Sequence, residues 1–89
     1  MRFPLGRVVA TRGALRALQE AGQAPAEFLD RHVSGDWGEL DDEDKQENEF
    51  SVRNGYRILS VYTTSAGDRL YVITEADRSV TTILRPDEY

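Results

Sequence analysis

Apolar residues recur with a helical period in the first half of this chain and with a strand period at its end. Arg7-Val8-Val9-Ala10 is a short β-branched run, and Pro4 and Gly6 before it mark a turn or a sheet edge. Thr11 is a good N-cap. Ala14, Leu15, Leu18 and Ala21 then fall on one helical face, and Gly22 supplies the stop. A second helix opens at Pro25, whose missing N–H costs nothing in a first turn, with Glu27 near the positive helix end. Phe28, Leu29, His32 and Val33 form its apolar stripe. The very short connection makes the two an αα-hairpin that buries facing sides. Ser34-Gly35-Asp36-Trp37-Gly38 reads as a loop. A third helix is predicted from about Asp41 to Asn54, capped by Asp41 or Asp42 and stopped by Asn54-Gly55. With little apolar face beyond Phe50 and Val52, it is expected to lie exposed and to be tethered by its C-terminal end.

The remainder alternates like strands. Tyr56–Thr63, Arg69–Glu75 and Val80–Arg85 are rich in Tyr, Ile, Val and Thr, separated by Ser65-Ala66-Gly67-Asp68 and Ala76-Asp77-Arg78-Ser79, and Pro86 ends the run. The expected class is therefore α+β: an N-terminal short strand and helical hairpin, an acidic third helix, then a C-terminal three-stranded antiparallel meander. With Asp77-Arg78 at the hairpin tip, Glu75 stands opposite Val80, Ile73 opposite Thr82, and Tyr71 opposite Leu84. The other face then carries Leu70, Val72, Thr74, Thr81 and Ile83, and the helical hairpin is expected on it.

Composition narrows the setting. The 89 residues suffice for one domain over 1–89, with no linker or repeat. The absence of cysteine removes disulfides, thiolate nucleophiles and cysteine-based zinc sites, and favours a reducing cytoplasm. Met1 to Gly6 has no apolar core of a signal peptide, and no apolar run nears the roughly 18 residues of a membrane span. A net charge of −5 repels phosphate, so direct nucleic-acid binding is not expected. The acid is concentrated: Asp36, Glu39, Asp41, Asp42, Glu43, Asp44, Glu47 and Glu49 lie against a single Lys45.

Candidate chemistry is sparse. His32 is the only histidine, read either as a packed side chain with a bonded nitrogen or as a proton carrier. The acidic stretch lacks the alternating ligands, glycine and terminal glutamate of a calcium loop, so no metal is expected. No phosphate loop or dinucleotide fingerprint occurs, and no cofactor is implied. Trp37, alone of its kind and flanked by Gly35 and Gly38, is either a plug closing the core or an exposed anchor for a partner. Glu75, Asp77 and Arg78 form a charged hairpin tip, read as turn chemistry or as groups facing a site shared with the Asp36 loop.

The stretches His32-Val33-Ser34-Gly35-Asp36-Trp37-Gly38-Glu39-Leu40 and Ile73-Thr74-Glu75-Ala76-Asp77-Arg78-Ser79-Val80-Thr81-Thr82-Ile83-Leu84 carry a resemblance. So does the opening from Phe3-Pro4-Leu5-Gly6 through Val8-Val9-Ala10-Thr11 to Ala14-Leu15. Together they resemble a family of small uncharacterised bacterial proteins, often labelled plasmid-related or hypothetical. That resemblance covers nearly the whole chain, implies a bacterial setting associated with mobile elements, and brings no established activity. In architecture alone, helices followed by a meander, the chain is similar to the RelE-like ribonuclease toxins. That likeness casts His32, Arg57 and Glu75 as base, phosphate clamp and acid, and the acidic net charge stands against it.

The leading expectation is a non-enzymatic protein-binding, inhibitor or regulatory module of a bacterial or mobile-element system, counter-defence included. Its contacts would be Asp36, Trp37, Asp41, Asp42, Asp77 and Arg78, and its partner a protein with a basic surface. The alternatives are a small ribonuclease using His32 and Glu75, and a structural homo-oligomer whose open sheet edge pairs across a two-fold.

Overall fold

The computed structural model describes all residues from Met1 to Tyr89. Strand β1 (Arg7–Ala10) leads into helices α1 (Arg12–Ala21), α2 (Pro25–Val33) and α3 (Asp42–Asn54). Strands β2 (Ile58–Thr63), β3 (Arg69–Thr74) and β4 (Val80–Leu84) follow, and a single 3₁₀ turn spans Pro86–Glu88. Thr11 caps α1 by accepting from the Ala14 amide, and Gly22 ends it in the left-handed conformation. No helix is long and apolar enough to cross a membrane.

The expected meander is there, in the expected register: Tyr71 faces Leu84, Ile73 faces Thr82, and the Glu75 amide bonds the Val80 carbonyl. The sheet, however, has four strands in the order β1-β4-β3-β2, and β1 lies parallel to β4. It is thus a mixed sheet, which corrects the three-stranded antiparallel expectation. Sequence periodicity marks β1 as a strand but carries no turn to name its partner, because a parallel neighbour is reached through the rest of the chain.

The helical hairpin covers the expected face. Ala14, Ala17, Leu18 and Phe28 pack on Tyr62, Leu70, Val72 and Ile83 as one buried cluster. Leu15, assigned to the stripe of α1, is half exposed, and Ala17 takes its place in the core. A second cluster joins Phe3, Trp37 and Ile58, with Leu5, Val33, Leu40 and Val52 against it. The opposite face of the sheet is crossed by the C-terminal turn, which sets Tyr89 edge-on to Tyr71.

Helix α3 is largely exposed and held through its C-terminal half, as expected, but mainly by polar contacts. Its buried residues are polar, Asn48 and Ser51, because it docks on the edge of β2 rather than on a sheet face. The Asn48 amide donates to the Leu59 carbonyl at 2.6 Å and accepts from the Leu59 N–H at 3.2 Å, so one side chain mimics a neighbouring strand. Further along the same edge, Glu39 N–H donates to the Val61 carbonyl and Val61 N–H to the Trp37 carbonyl. The β2 edge is thereby closed to further pairing. Replacing Asn48 with alanine is expected to cost about 2 kcal/mol, since both Leu59 groups lose their partner while half-buried. Urea unfolding with hydrogen exchange at Leu59 measures this, and unchanged protection of that amide would refute the strand-mimic role.

Candidate functional site

The exposed acids cluster because α3 needs them locally. Asp41 caps the helix, its carboxylate accepting from the Asp44 N–H at 2.8 Å, and Asp42, Glu43 and Asp44 fill the first turn at the positive end of the dipole. Of the wider acidic stretch, Asp36 pairs with Arg31 at 2.7 Å, Glu39 with Arg69 at 3.6 Å and Glu49 with Arg2 at 2.7 Å. Asp41, Asp42, Glu43, Asp44 and Glu47 have no basic partner and are exposed, so they make a strongly acidic field broken only by Lys45.

One helical turn past this field stands an aromatic pair. Phe50 and Tyr56 stack with centroids 5.7 Å apart and planes 11° from parallel, and they remain 48% and 57% exposed. Glu43, Glu47 and Phe50 follow one another at helical spacing on the outer face of α3. Glu47 borders all three shallow hollows around the helix, and Phe50 borders two of them. The aromatic pair was not legible beforehand. Phe50 reads, with Val52, as the apolar tether of a polar helix, and Tyr56 as the start of a strand. The available signal was their separation by Asn54-Gly55, a helix stop that folds the chain back beside the last turn.

Trp37 lies elsewhere. It is 3% exposed, stacked on Phe3 and edge-on to His32, and its Nε1–H donates to Glu49 Oε2 at 3.0 Å. It is therefore the plug of the two readings. Hydrogen bonds from Arg2 and then from Trp37 hold the Glu49 carboxyl down at about 2. Asp36 accepts from the Gly38 N–H, its carboxyl is lowered chiefly by the bond from Arg31, and its carbonyl receives the Tyr62 hydroxyl at 2.6 Å. Burial is the main reason the Tyr62 phenol is pushed up to about 12.

The hairpin tip is spent on structure. Asp77 accepts from the Ser79 N–H, and its carboxyl is lowered first by the Ser79 side chain. Arg78 sits at φ 62°, a left-handed position rarely taken by a residue other than glycine, and its guanidinium donates to the carbonyls of Ser51, Tyr56, Glu75 and Ala76. It joins the C-terminal turn of α3 to the β3–β4 hairpin. The acidic patch thus retains Asp41 and Asp42 from the sequence-derived contacts, whereas Trp37 is buried and Arg78 is committed to carbonyls.

His32 is fully buried, with Nδ1 2.6 Å from Ser60 Oγ and Nε2 2.9 Å from Thr74 Oγ1. Burial pushes its imidazole down to about 4. Thr74 faces the helices with it, so the next residue, Glu75, projects from the opposite face. There Arg57 bonds Glu75 at 3.1 Å and the Tyr89 hydroxyl at 3.2 Å. The sheet separates His32 from Arg57 and Glu75, and these three are not brought to one site. No group of three or more His, Cys, Asp or Glu side chains is placed to hold a metal. No family model, curated protein or solved structure matches the chain.

Proposed function

We propose that this protein is a non-enzymatic binding module whose docking surface is the outer face of α3, and that its partner is a protein with a basic surface. The single observation that supports this most is the stacked Phe50–Tyr56 pair, held half in water beside Glu43 and Glu47. Exposed aromatics at the rim of an unpaired charge field supply both parts of a selective contact. The field steers a cationic surface at long range, and the rings give up apolar area on contact. The anchoring role foreseen for Trp37 passes to this pair. The bacterial, mobile-element setting rests on the family resemblance alone, and inhibition of a nucleic-acid-handling enzyme is one use that a basic partner would fit.

The test is retention of partners by immobilised protein from bacterial lysate at low salt, with a Lys/Arg-rich peptide as a defined probe. Phe50→Ala/Tyr56→Ala is expected to weaken binding on the order of thirtyfold, the roughly 2 kcal/mol of a hot-spot pair. Glu43→Gln/Glu47→Gln is expected to slow association and to flatten its salt dependence. Undiminished retention by the aromatic double variant would overturn the reading.

A further inference from the structure

The two edges of the sheet are treated differently. The β2 edge is closed by Asn48 and by the Trp37–Glu39 segment, while β1 pairs only with β4. The Arg7 amide bonds the Ser79 carbonyl and the Thr11 amide bonds the Ile83 carbonyl, so the backbone groups of alternate residues turn toward β4. Those of Val8 and Ala10 therefore turn outward, along an edge no other strand covers. Val8 is 43% exposed there, a β-branched side chain left in water.

The charge around this edge is the reverse of that on α3. Six basic residues have no acidic partner, and three of them, Arg7, Arg12 and Arg16, belong to β1 and α1. Arg12 and Arg16 border a shallow hollow with Leu15, which is 50% exposed. Asp77 lies two residues before the Ser79 that bonds Arg7, and the other nearby acids are Glu20, on α1 itself, and Glu88. The latter is already engaged: it accepts from the Thr11 hydroxyl, the Gly13 N–H and the Arg85 N–H. Pairing of two copies through β1 across a two-fold would bring both sets of arginines to one seam, which like charges resist. The opposite sign is what the edge accepts.

We infer that the β1 edge is a second docking surface, independent of the one on α3, that takes an extended acidic segment of a partner protein as an added strand. Main-chain bonds to Val8 and Ala10 would carry the affinity, and the three arginines would select acidic over basic segments. The two surfaces lie at opposite ends of the strand order, so both can be occupied together.

The experiment is a two-dimensional amide NMR titration of the intact chain with a short peptide alternating Glu and Val, against a matched peptide alternating Lys and Val. The acidic peptide is expected to shift the Val8 and Ala10 amides and slow their exchange, while the basic one leaves them unmoved. Val8→Pro removes only the outward N–H, which an edge strand tolerates, and is expected to weaken binding about tenfold or more. Arg7→Gln/Arg12→Gln/Arg16→Gln tests the selection while keeping the outward backbone groups of Val8 and Ala10, and is expected to erase the preference for the acidic peptide. No shift at Val8 and Ala10, or equal shifts with both peptides, would overturn the inference. Shifts that follow protein concentration without peptide would overturn it in favour of self-pairing.

Discussion

Gly38→Ala is expected to destabilise the protein by about 3–5 kcal/mol, a large part of what a domain of this size has to lose. The residue sits at φ 75°, and a Cβ there would fall inside the van der Waals shell of the Val61 carbonyl oxygen. That oxygen is the acceptor of the Glu39 N–H in the bridge that closes the β2 edge. The methyl group therefore adds the left-handed penalty of roughly 1–2 kcal/mol and also levers apart two backbone hydrogen bonds worth about 1 kcal/mol each. Trp37, adjacent in the chain, loses part of its seat against Phe3. Gly22→Ala isolates the first contribution, because Gly22 is also left-handed, at φ 66°, with nothing within 4 Å of an added Cβ. Trp37 is the only tryptophan, so its emission reports the site directly. Urea unfolding should place Gly38→Ala far below Gly22→Ala, and its native-state emission should shift to the red of the wild type. If the two variants unfold together, the steric account of the bridge fails.

The parts of this fold that could be foreseen are those where one face of an element meets a purely apolar neighbour. Phe28, Leu70, Val72 and Ile83 announce their burial through spacing alone, and the β3–β4 register follows from Asp77-Arg78 at the tip. What escaped is wherever burial is polar. Helix α3 has no apolar stripe because its inner side bonds a strand edge through Asn48, and a lone asparagine in an acidic helix gives no periodic signal. Its outer side then presents Phe50, which spacing rules assign inward. Trp37 could be a plug or an anchor because composition does not say whether its N–H finds an acceptor, and Glu49, twelve residues on, supplies one. The acidic field itself was plain from the sequence. Which of its members are free required the partners Arg2, Arg31 and Arg69, which come from three distant parts of the chain.

Acidification from pH 6.5 to 4 is expected to remove about 3 kcal/mol of stability through His32 alone. The folded imidazole, at about 4, lies below its ordinary 6.5, chiefly because burial disfavours the cation. Between those values the unfolded chain binds a proton that the folded chain refuses, so stability is full above pH 6.5 and declines as pH falls. Below about 4 both states are protonated and this loss stops growing. The carboxyls of Glu49, Asp36, Asp77 and Glu88, all lowered by their hydrogen bonds, add their losses at still lower pH. The neutral ring has a defined tautomer. Thr81 donates its one hydroxyl proton to the Leu5 carbonyl at 2.7 Å, so at the 2.7 Å contact between the hydroxyls Thr74 must donate to Thr81. Thr74 then accepts from His32 Nε2–H, which leaves Nδ1 to accept from Ser60. Imidazole nitrogen NMR of this single histidine should therefore show the Nε2–H form, with no titration above pH 5. Thr81→Val deletes the hydroxyl that orients the chain, so Thr74 is free to donate to Nε2, and the tautomer is expected to switch to Nδ1–H. A ring that titrates near 6.5 in the folded protein would mean that His32 meets water, and the buried Ser60–His32–Thr74–Thr81 chain would be overturned.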